Sequence, residues 1–348
     1  MSFLRFVKSN FLRTLDSAGV NTRILNSSWR DRRLVIVCWH GVSNDDEHRW
    51  NPGLFMPAQT FRARLALLRE MRCNVLPLSE GLARLRSGSL PPRAVCLTVD
   101  DGDSSFYLRA WPMLREFAFP TTLYWTTYYS TRPYAVFDPM LSYLLWKGRA
   151  STLTLCNPAL RCDLHSPQER RRAFATLYEL AKADRWSGEQ KEAFLVELAG
   201  SLGIDYAEIK SRRVLRLITP AEASSMRAEG LDLQLHTHRH RVPTSPDVFA
   251  AELSENARHL CAAGAKRPAH FCYPSGSFRP EFAGWLRESR VESATTCQYG
   301  LIERRSDSYF LPRLMDHGAT SAVEFRSGLS GIAMLLSRKR RISEHGFA

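Results

Sequence analysis

Leu97-Thr98-Val99-Asp100-Asp101-Gly102 ends a short apolar run, residues 94–99, with two adjacent carboxylates and a glycine. A short apolar run of this kind predicts a strand, and the continuous apolar run at residues 34–39 predicts one that is buried on both faces, as in a parallel sheet. Neighbouring strand residues point to opposite sides, so Asp100 and Asp101 need not share a role. The stretch therefore predicts a β/α architecture with chemistry at the carboxyl end of this strand.

Three histidines follow a second apolar run, in His236-Thr237-His238-Arg239-His240. In an extended backbone all three imidazoles face one way, whereas in a helical turn His236 and His240 align and His238 points elsewhere. We favour the turn, because the strand ends just before it. One carboxylate with two neutral imidazoles is a familiar ligand set for Zn²⁺ or a similar divalent ion, and a second carboxylate can take a proton from water. The expected ligands are Asp101, His236 and His240, with His238 in a supporting or substrate-facing position.

Short apolar runs alternate with helical periodicity before residue 128 and after residue 215, which is typical of β-α units around a parallel sheet or barrel. Residues 132–215 differ, because Ser166 and Ser187 give N-capping signals ahead of apolar stripes, and we expect a helical insertion there. Strands are expected at residues 34–39, 75–78, 94–99, 121–125, 231–235, 270–273, 291–296 and 309–314.

Charge and composition favour a globular protein that does not bind nucleic acid. The 48 Lys and Arg residues exceed the 35 Asp and Glu residues by 13, but the excess is spread widely. Its only dense run, residues 338–341, lies in a segment that we interpret as a basic solvated tail, residues 326–348. No uncharged apolar run approaches the roughly 18 residues that suggest a membrane-spanning helix.

The N-terminal segment and the cysteines bear on where the protein acts. Residues 1–30 begin as a basic amphipathic helix, which either docks on its own domain or rests on an anionic membrane surface. The eight cysteines form no Cys-x-x-Cys pair, and no secretory apolar region opens the sequence. We therefore expect reduced thiols and a cytoplasmic protein, with the inner membrane face as a further location.

Three motifs in order resemble those of one known family. Thr98-Val99-Asp100-Asp101-Gly102, His236-Thr237 with His240, and Phe271-Cys272-Tyr273-Pro274-Ser275-Gly276 resemble the motifs of polysaccharide deacetylases, the NodB-homology or carbohydrate esterase family four. The opening Cys38-Trp39-His40-Gly41-Val42 is similar to its exopolysaccharide-associated members. The resemblance implies a distorted (β/α) barrel of about seven strands over residues 31–325, interrupted by the helical insertion.

The resemblance also implies an activity, namely metal-dependent removal of acetyl groups from the N-acetylated sugars of a polysaccharide, oligosaccharide or lipid-linked glycan. Asp100 matches the general base, and Asp101, His236 and His240 match the ligands of a divalent ion, with Zn²⁺ expected. The backbone N–H around Ser275 matches the donor to the oxyanion.

Two positions depart from the family pattern. Cys272 stands where an arginine often braces the catalytic aspartate, and Arg313 is a candidate to replace it from the last strand. Met315-Asp316-His317 loosely matches the motif that supplies the acid, so His317 is a candidate to protonate the leaving amine. The remaining candidates are for substrate contact, and they are His40, His238 and Tyr273.

Two alternatives stay open. The missing motif arginine leaves room for a catalytically impaired glycan-binding or scaffolding protein of the same fold. A nucleic-acid binder would show steep salt dependence of binding, but only the positive charge favours it.

Overall fold

The computed structural model describes residues 3–156 and 158–336. The predicted apolar runs form strands, although the run at 75–78 contributes only Asn74–Val75 before a helix begins at Leu78. The strands are β1 (Val35–Trp39), β2 (Gly41–Val42), β3 (Phe55–Met56), β4 (Asn74–Val75), β5 (Ala94–Asp101), β6 (Thr121–Trp125), β7 (Thr152–Cys156), β8 (Ala159–Asp163), β9 (Asp232–Leu235), β10 (His270–Cys272), β11 (Ser293–Tyr299) and β12 (Leu311–Met315).

Helices surround these strands and fill the long connections. They are α1 (Phe3–Ser17), α2 (Val20–Leu25), α3 (Ser28–Asp31), α4 (Glu47–Trp50), α5 (Ala58–Glu70), α6 (Leu78–Ser87), α7 (Trp111–Glu116), α8 (Phe137–Lys147), α9 (Pro167–Ala183), α10 (Gly188–Ser201), α11 (Tyr206–Ser211), α12 (Pro220–Ala228), α13 (Pro246–Ala262), α14 (Phe282–Glu288), α15 (Ala322–Ser330) and α16 (Ile332–Leu336). A π-helix, Phe106–Ala110, precedes α7.

Within the described ranges, seven strands close into a parallel barrel. Their order is β1, β12, β11, β10, β9, β6 and β5, and β5 pairs back to β1 from Val35↔Val95 to Trp39↔Val99. β4 adds a short pairing to the start of β5. The register between β11 and β12 shifts along the pair, which distorts the ring. The predicted distorted (β/α) barrel of about seven strands is confirmed.

The two faces of β5 explain how the barrel positions the site. Val95, Leu97 and Val99 belong to the apolar layer between strands and helices. Ala94 and Cys96 belong to a second cluster, which includes side chains of β1, β6, β10 and β12. Because side chains alternate along a strand, Asp100 continues the series of Ala94 and Cys96. Asp100 therefore points into the barrel at its carboxyl end.

The segment predicted as a helical insertion has a core of its own. Buried apolar side chains of α8, α9, α10 and α11 form one cluster. The antiparallel hairpin β7–β8 also contributes to it, and we did not predict this hairpin. Its signal is the alternation Thr152-Leu153-Thr154-Leu155, in which only the leucines are buried. The insertion is thus helical with one hairpin.

The predicted N-terminal and C-terminal segments pack together on the barrel. Arg30 is buried and donates hydrogen bonds to the carbonyl oxygens of Leu329 and Ala94, at 2.7 and 3.0 Å. The predicted tail from residue 326 therefore begins inside the fold, because α15 and the start of α16 are buried. The basic run at 338–341 lies outside the described residues. No described helix has the length and apolar character needed to cross a membrane.

Candidate active site

Asp100 and Arg313 form a buried ion pair inside the barrel. Arg313 Nη1 lies 2.7 Å from Asp100 Oδ1, and Arg313 Nη2 lies 2.7 Å from Asp100 Oδ2, so the guanidinium donates to both carboxylate oxygens. The side chains are 0% and 3% exposed. Burial alone would raise the pKa of Asp100, but the charge and hydrogen bonds of Arg313 lower it to about 2. Asp100 is therefore ionised at neutral pH.

Three further side chains surround the Asp100 carboxylate. The thiols of Cys38 and Cys272 donate to its Oδ2, at 3.4 and 3.5 Å. Burial raises the pKa of both thiols, so they stay protonated and can donate. His40 Nε2 lies 3.7 Å from the same oxygen. His40 was predicted to contact substrate, and it lies beside the predicted base.

The three predicted metal ligands come together at the same end of the barrel. Asp101 Oδ1 lies 3.0 Å from His236 Nε2 and 3.2 Å from His240 Nε2. Asp101 and His240 both have positive φ, at 70° and 53°, and so does Thr237 between the two histidines, at 59°. Positive φ is uncommon for residues other than glycine, and such strain concentrates at functional sites. The turned form predicted for the histidines is the one that brings both rings to Asp101.

The hydrogen bonds of His236 require a positive group between its ring and Asp101. Its Nδ1 lies 2.8 Å from the Cys272 carbonyl oxygen, which can only accept, so Nδ1 carries the proton. In neutral imidazole Nε2 is then an acceptor, yet it faces Asp101 Oδ1, which is also an acceptor. Either a second proton or a metal ion must lie between these atoms. Tetrahedral zinc ligands are about 3.4 Å apart, close to the observed distances.

Electrostatics in this cluster favour opposite charges. Burial disfavours charge on His236, but the hydrogen bond to Asp101 and the charges of Asp100 and Asp101 raise its pKa overall. Burial would raise the pKa of Asp101, but His240 and the hydrogen bonds from both rings hold it well below its usual range. The donor set of Asp101, His236 and His240 fits a divalent ion such as Zn²⁺.

Helix α13 holds the histidine loop in place. Asn256 Oδ1 accepts the backbone N–H of His236 at 2.8 Å, and Asn256 Nδ2 donates to the Trp125 carbonyl oxygen. Glu252 accepts the backbone N–H of Arg239 and pairs with its guanidinium. We did not predict these residues, because Asn256 and Glu252 look like ordinary polar positions of an amphipathic helix. Nor did we predict that Cys38 lies beside Asp100.

Two predicted substrate contacts do not fit the structure. Tyr273 is 1% exposed and its ring stacks on Phe310, with centroids 6.1 Å apart. It belongs to the apolar core, because the strand end that presents Cys272 to the barrel turns Tyr273 outward to the helices. His238 is 3% exposed and stacks on His259 of α13, so it has a supporting position and does not face substrate.

Ser275 and His317 lie in turns after barrel strands. Ser275 is exposed, with φ 54°, in the short 3₁₀ turn that follows β10. His317 follows β12, and its Nδ1 accepts the backbone N–H of Ala319 at 3.3 Å. The preceding Asp316 is fixed by buried bonds from Trp39 Nε1 and Arg64 Nε, at 2.8 and 3.0 Å. Both candidates are thus at the carboxyl ends of strands, and their catalytic roles stay predictions.

Comparisons with known proteins agree with this arrangement. The family model "Polysaccharide deacetylase" matches residues 181–292. The poly-beta-1,6-N-acetyl-D-glucosamine N-deacetylase of Escherichia coli (strain K12) is 33% identical over 93 residues, which is 26% of this chain and 14% of that protein. The chain therefore matches only a small part of this relative.

Two solved structures share the fold. The deacetylase PplD of Streptococcus pyogenes, in complex with acetate, superposes with a TM-score of 0.56 at 15% identity, covering 85% of this chain and 98% of that one. IcaB from Ammonifex degensii gives a TM-score of 0.53 at 16% identity, covering 86% and 97%. The family match over residues 181–292 and the shared fold confirm the resemblance to the polysaccharide deacetylases.

Proposed function

We propose that this protein is a metal-dependent hydrolase that removes acetyl groups from the N-acetylated sugars of a polysaccharide, oligosaccharide or lipid-linked glycan. The observation that carries the proposal is the meeting of Asp101 Oδ1 with the acceptor nitrogen of His236, 3.0 Å apart, with His240 Nε2 3.2 Å from the same oxygen. The E. coli relative is an N-deacetylase of poly-beta-1,6-N-acetyl-D-glucosamine, which supports the same substrate class here.

The ion would be held by Asp101, His236 and His240, and when bound it supplies a Lewis acid for the acetyl carbonyl and acidifies a nearby water. Asp100, ionised because Arg313 neutralises it, accepts the proton of the attacking water. With a pKa of about 2 it is a weak base, so it takes a proton only from an acidified water. This requirement favours a metal-dependent reaction.

The remaining steps use groups at the ends of β10 and β12. Water oxygen bonds to the acetyl carbon, and the backbone N–H near Ser275 donates to the oxygen that becomes negative. The carbon–nitrogen bond then breaks, and protonated His317 gives a proton to the departing nitrogen, which leaves as a free amine. The second product is acetic acid, which loses its proton to solvent and becomes acetate. Asp100 passes its proton to His317, which restores the starting state.

The test combines metal analysis with acetate release from a panel of N-acetylated and O-acetylated glycans. Asp100→Asn should keep the bound metal and lose turnover, whereas His236→Ala should lose both. His165→Ala is the matched control, because this exposed histidine lies in the insertion, where it pairs with Asp163. Full activity in Asp100→Asn or His236→Ala would refute the mechanism.

The catalytically impaired glycan binder is not favoured. Its basis was the replacement of the motif arginine by Cys272, yet Arg313 brings a guanidinium to both oxygens of Asp100. If the purified, metal-loaded protein binds the glycan panel and releases no acetate from any member, the binder becomes the better description.

We extend the proposal to contact with the inner membrane face through α1. Val7 and Phe11 are 48% and 47% exposed, and basic residues intersperse the helix. An amphipathic helix of this kind binds anionic lipid surfaces. Flotation should recover the protein with vesicles of anionic lipid and not with zwitterionic ones, and Phe11→Ser should weaken the association. Equal recovery of wild type and Phe11→Ser would contradict the contact. A cytoplasmic location and the absence of nucleic-acid binding stay predictions.

A further inference from the structure

A second cluster of metal-ligating side chains lies behind the histidine loop. It consists of His238 from the loop and Glu255 and His259 from α13. One potential ligand atom from each of the three lies within 4.8 Å of the others. Glu255 and His259 are four residues apart on one helix, so both side chains lie on the same face. The first predicted site does not use any of the three as a metal ligand.

The His259 ring has to turn before it can share an ion with His238. The two imidazoles are stacked nearly parallel, at 4°, with centroids 5.2 Å apart, and the lone pair of each ring nitrogen lies in its own ring plane. Glu255 Oε1 lies 3.6 Å from His259 Nε2. Tetrahedral ligands need separations of about 3.4 Å, so the side chains of Glu255 and His259 would rotate on α13 to bring their ligand atoms into range. His238 itself is fixed, because its carbonyl oxygen accepts the backbone N–H groups of Thr127 and Tyr128.

His238 is also held by a side-chain hydrogen bond. Its Nδ1 lies 2.8 Å from Thr127 Oγ1, which leaves Nε2 as its ligand atom.

The Arg258 guanidinium already binds two of the three candidate ligands. Its Nη2 lies 2.6 Å from Glu255 Oε1 and 3.0 Å from His259 Nε2. The Arg258 side chain is 63% exposed, so it can turn into solvent without breaking the fold. The guanidinium therefore competes with a metal ion for Glu255 and His259.

We propose that His238, Glu255 and His259 form a second site for a divalent transition-metal ion of the Zn²⁺ class, which binds when Arg258 turns away. Such an ion would link α13 to the loop that carries His236 and His240. The site is a structural one, and the inference does not depend on deacetylase activity.

The experiment is titration of the metal-free, full-length protein with Zn²⁺, with bound metal counted by elemental analysis. We expect two equivalents in the wild type, one in His259→Ala, one in Glu255→Gln, and one in His236→Ala, in which only the second site remains. His165→Ala is the matched control and should bind two. Arg258→Ala should bind the second equivalent about tenfold more tightly, because a positive charge beside the site is removed.

Each outcome separates the two sites. If His259→Ala and Glu255→Gln bind as much Zn²⁺ as the wild type, the second site is overturned while the first stands. If His236→Ala keeps every equivalent and His259→Ala loses one, the second site stands and the metal site of the proposed function fails. An Arg258→Ala variant with unchanged or weaker Zn²⁺ affinity would also overturn the inference. Circular dichroism of the metal-free variants checks that they are folded.

Discussion

Replacing Arg313 with methionine tests the ion pair at the centre of the barrel. The change keeps most of the side-chain volume and removes the guanidinium that makes two 2.7 Å bonds to Asp100. Breaking a buried ion pair by removing one partner costs about 3–5 kcal/mol, because the other charge is left buried and unpaired. Arg313 also donates to the Thr296 carbonyl oxygen at 2.9 Å, and losing that bond adds about 1 kcal/mol. We therefore expect Arg313→Met to lower the free energy of unfolding by about 4–5 kcal/mol, the upper part of that range.

The assay is urea unfolding at neutral pH of four proteins: wild type, Arg313→Met, Asp100→Asn and the double variant. The double variant should be more stable than Arg313→Met, because it leaves no buried carboxylate without a counter-charge in the barrel. Arg62→Met is the matched control, since its ion pair with Glu116 is about half exposed and should contribute nothing measurable. A loss below about 1 kcal/mol in Arg313→Met would refute the reasoning, because the pair would then be solvated or dispensable.

Two further predictions concern the backbone after Asp101 and a buried glutamate. Gly102→Ala should destabilise the protein by about 1–3 kcal/mol and weaken Zn²⁺ binding, because Gly102 has φ 86° and an added Cβ would lie 2.6 Å from Trp125 Cδ1. Its control is Gly200→Ala in α10, where an added Cβ meets nothing within 4 Å. In the same urea unfolding assay this control should stabilise the protein by about 0.5–1 kcal/mol. Burial raises the pKa of Glu47, so its contribution to stability is present at low pH and is lost as pH rises through the folded-state pKa. Glu47→Gln should therefore flatten the fall in unfolding free energy as pH rises above about 4, the usual pKa of a glutamate, and an unchanged slope in urea unfolding would contradict this.

The sequence was most informative about the polar residues that directly follow predicted strands. The runs before Asp100 and His236 are rich in apolar residues, so the strands could be predicted from the sequence pattern, and parallel strands share one carboxyl-end edge. The turn at His240 was favoured because the strand ends at Leu235, and a turned backbone aligns His236 with His240 while His238 points elsewhere. These features are local, and local patterns are readable from one sequence.

Contacts between distant segments were harder to predict. Whether Tyr273 faces the site or the helices depends on where β10 ends, and a shift of one residue reverses the side of the strand on which it lies. The helix residue Asn256 binds the His236 backbone from twenty positions away, and nothing in its neighbours signals this. Arg313 was a candidate only because Cys272 occupies the position of the usual motif arginine. Its contact with Asp100 forms only when the strands close into the barrel.

The position of Arg313 has a consequence for how the protein matures. Asp100 belongs to β5 and its counter-charge to β12, so more than two hundred residues must be synthesised before the acid can be neutralised. In a nascent chain that ends before β12, an ionised Asp100 inside a closed ring would be strongly unfavourable. Closure of the barrel around Asp100 is thus disfavoured until β12 has been synthesised. The barrel is completed and Asp100 gains its counter-charge in the same step.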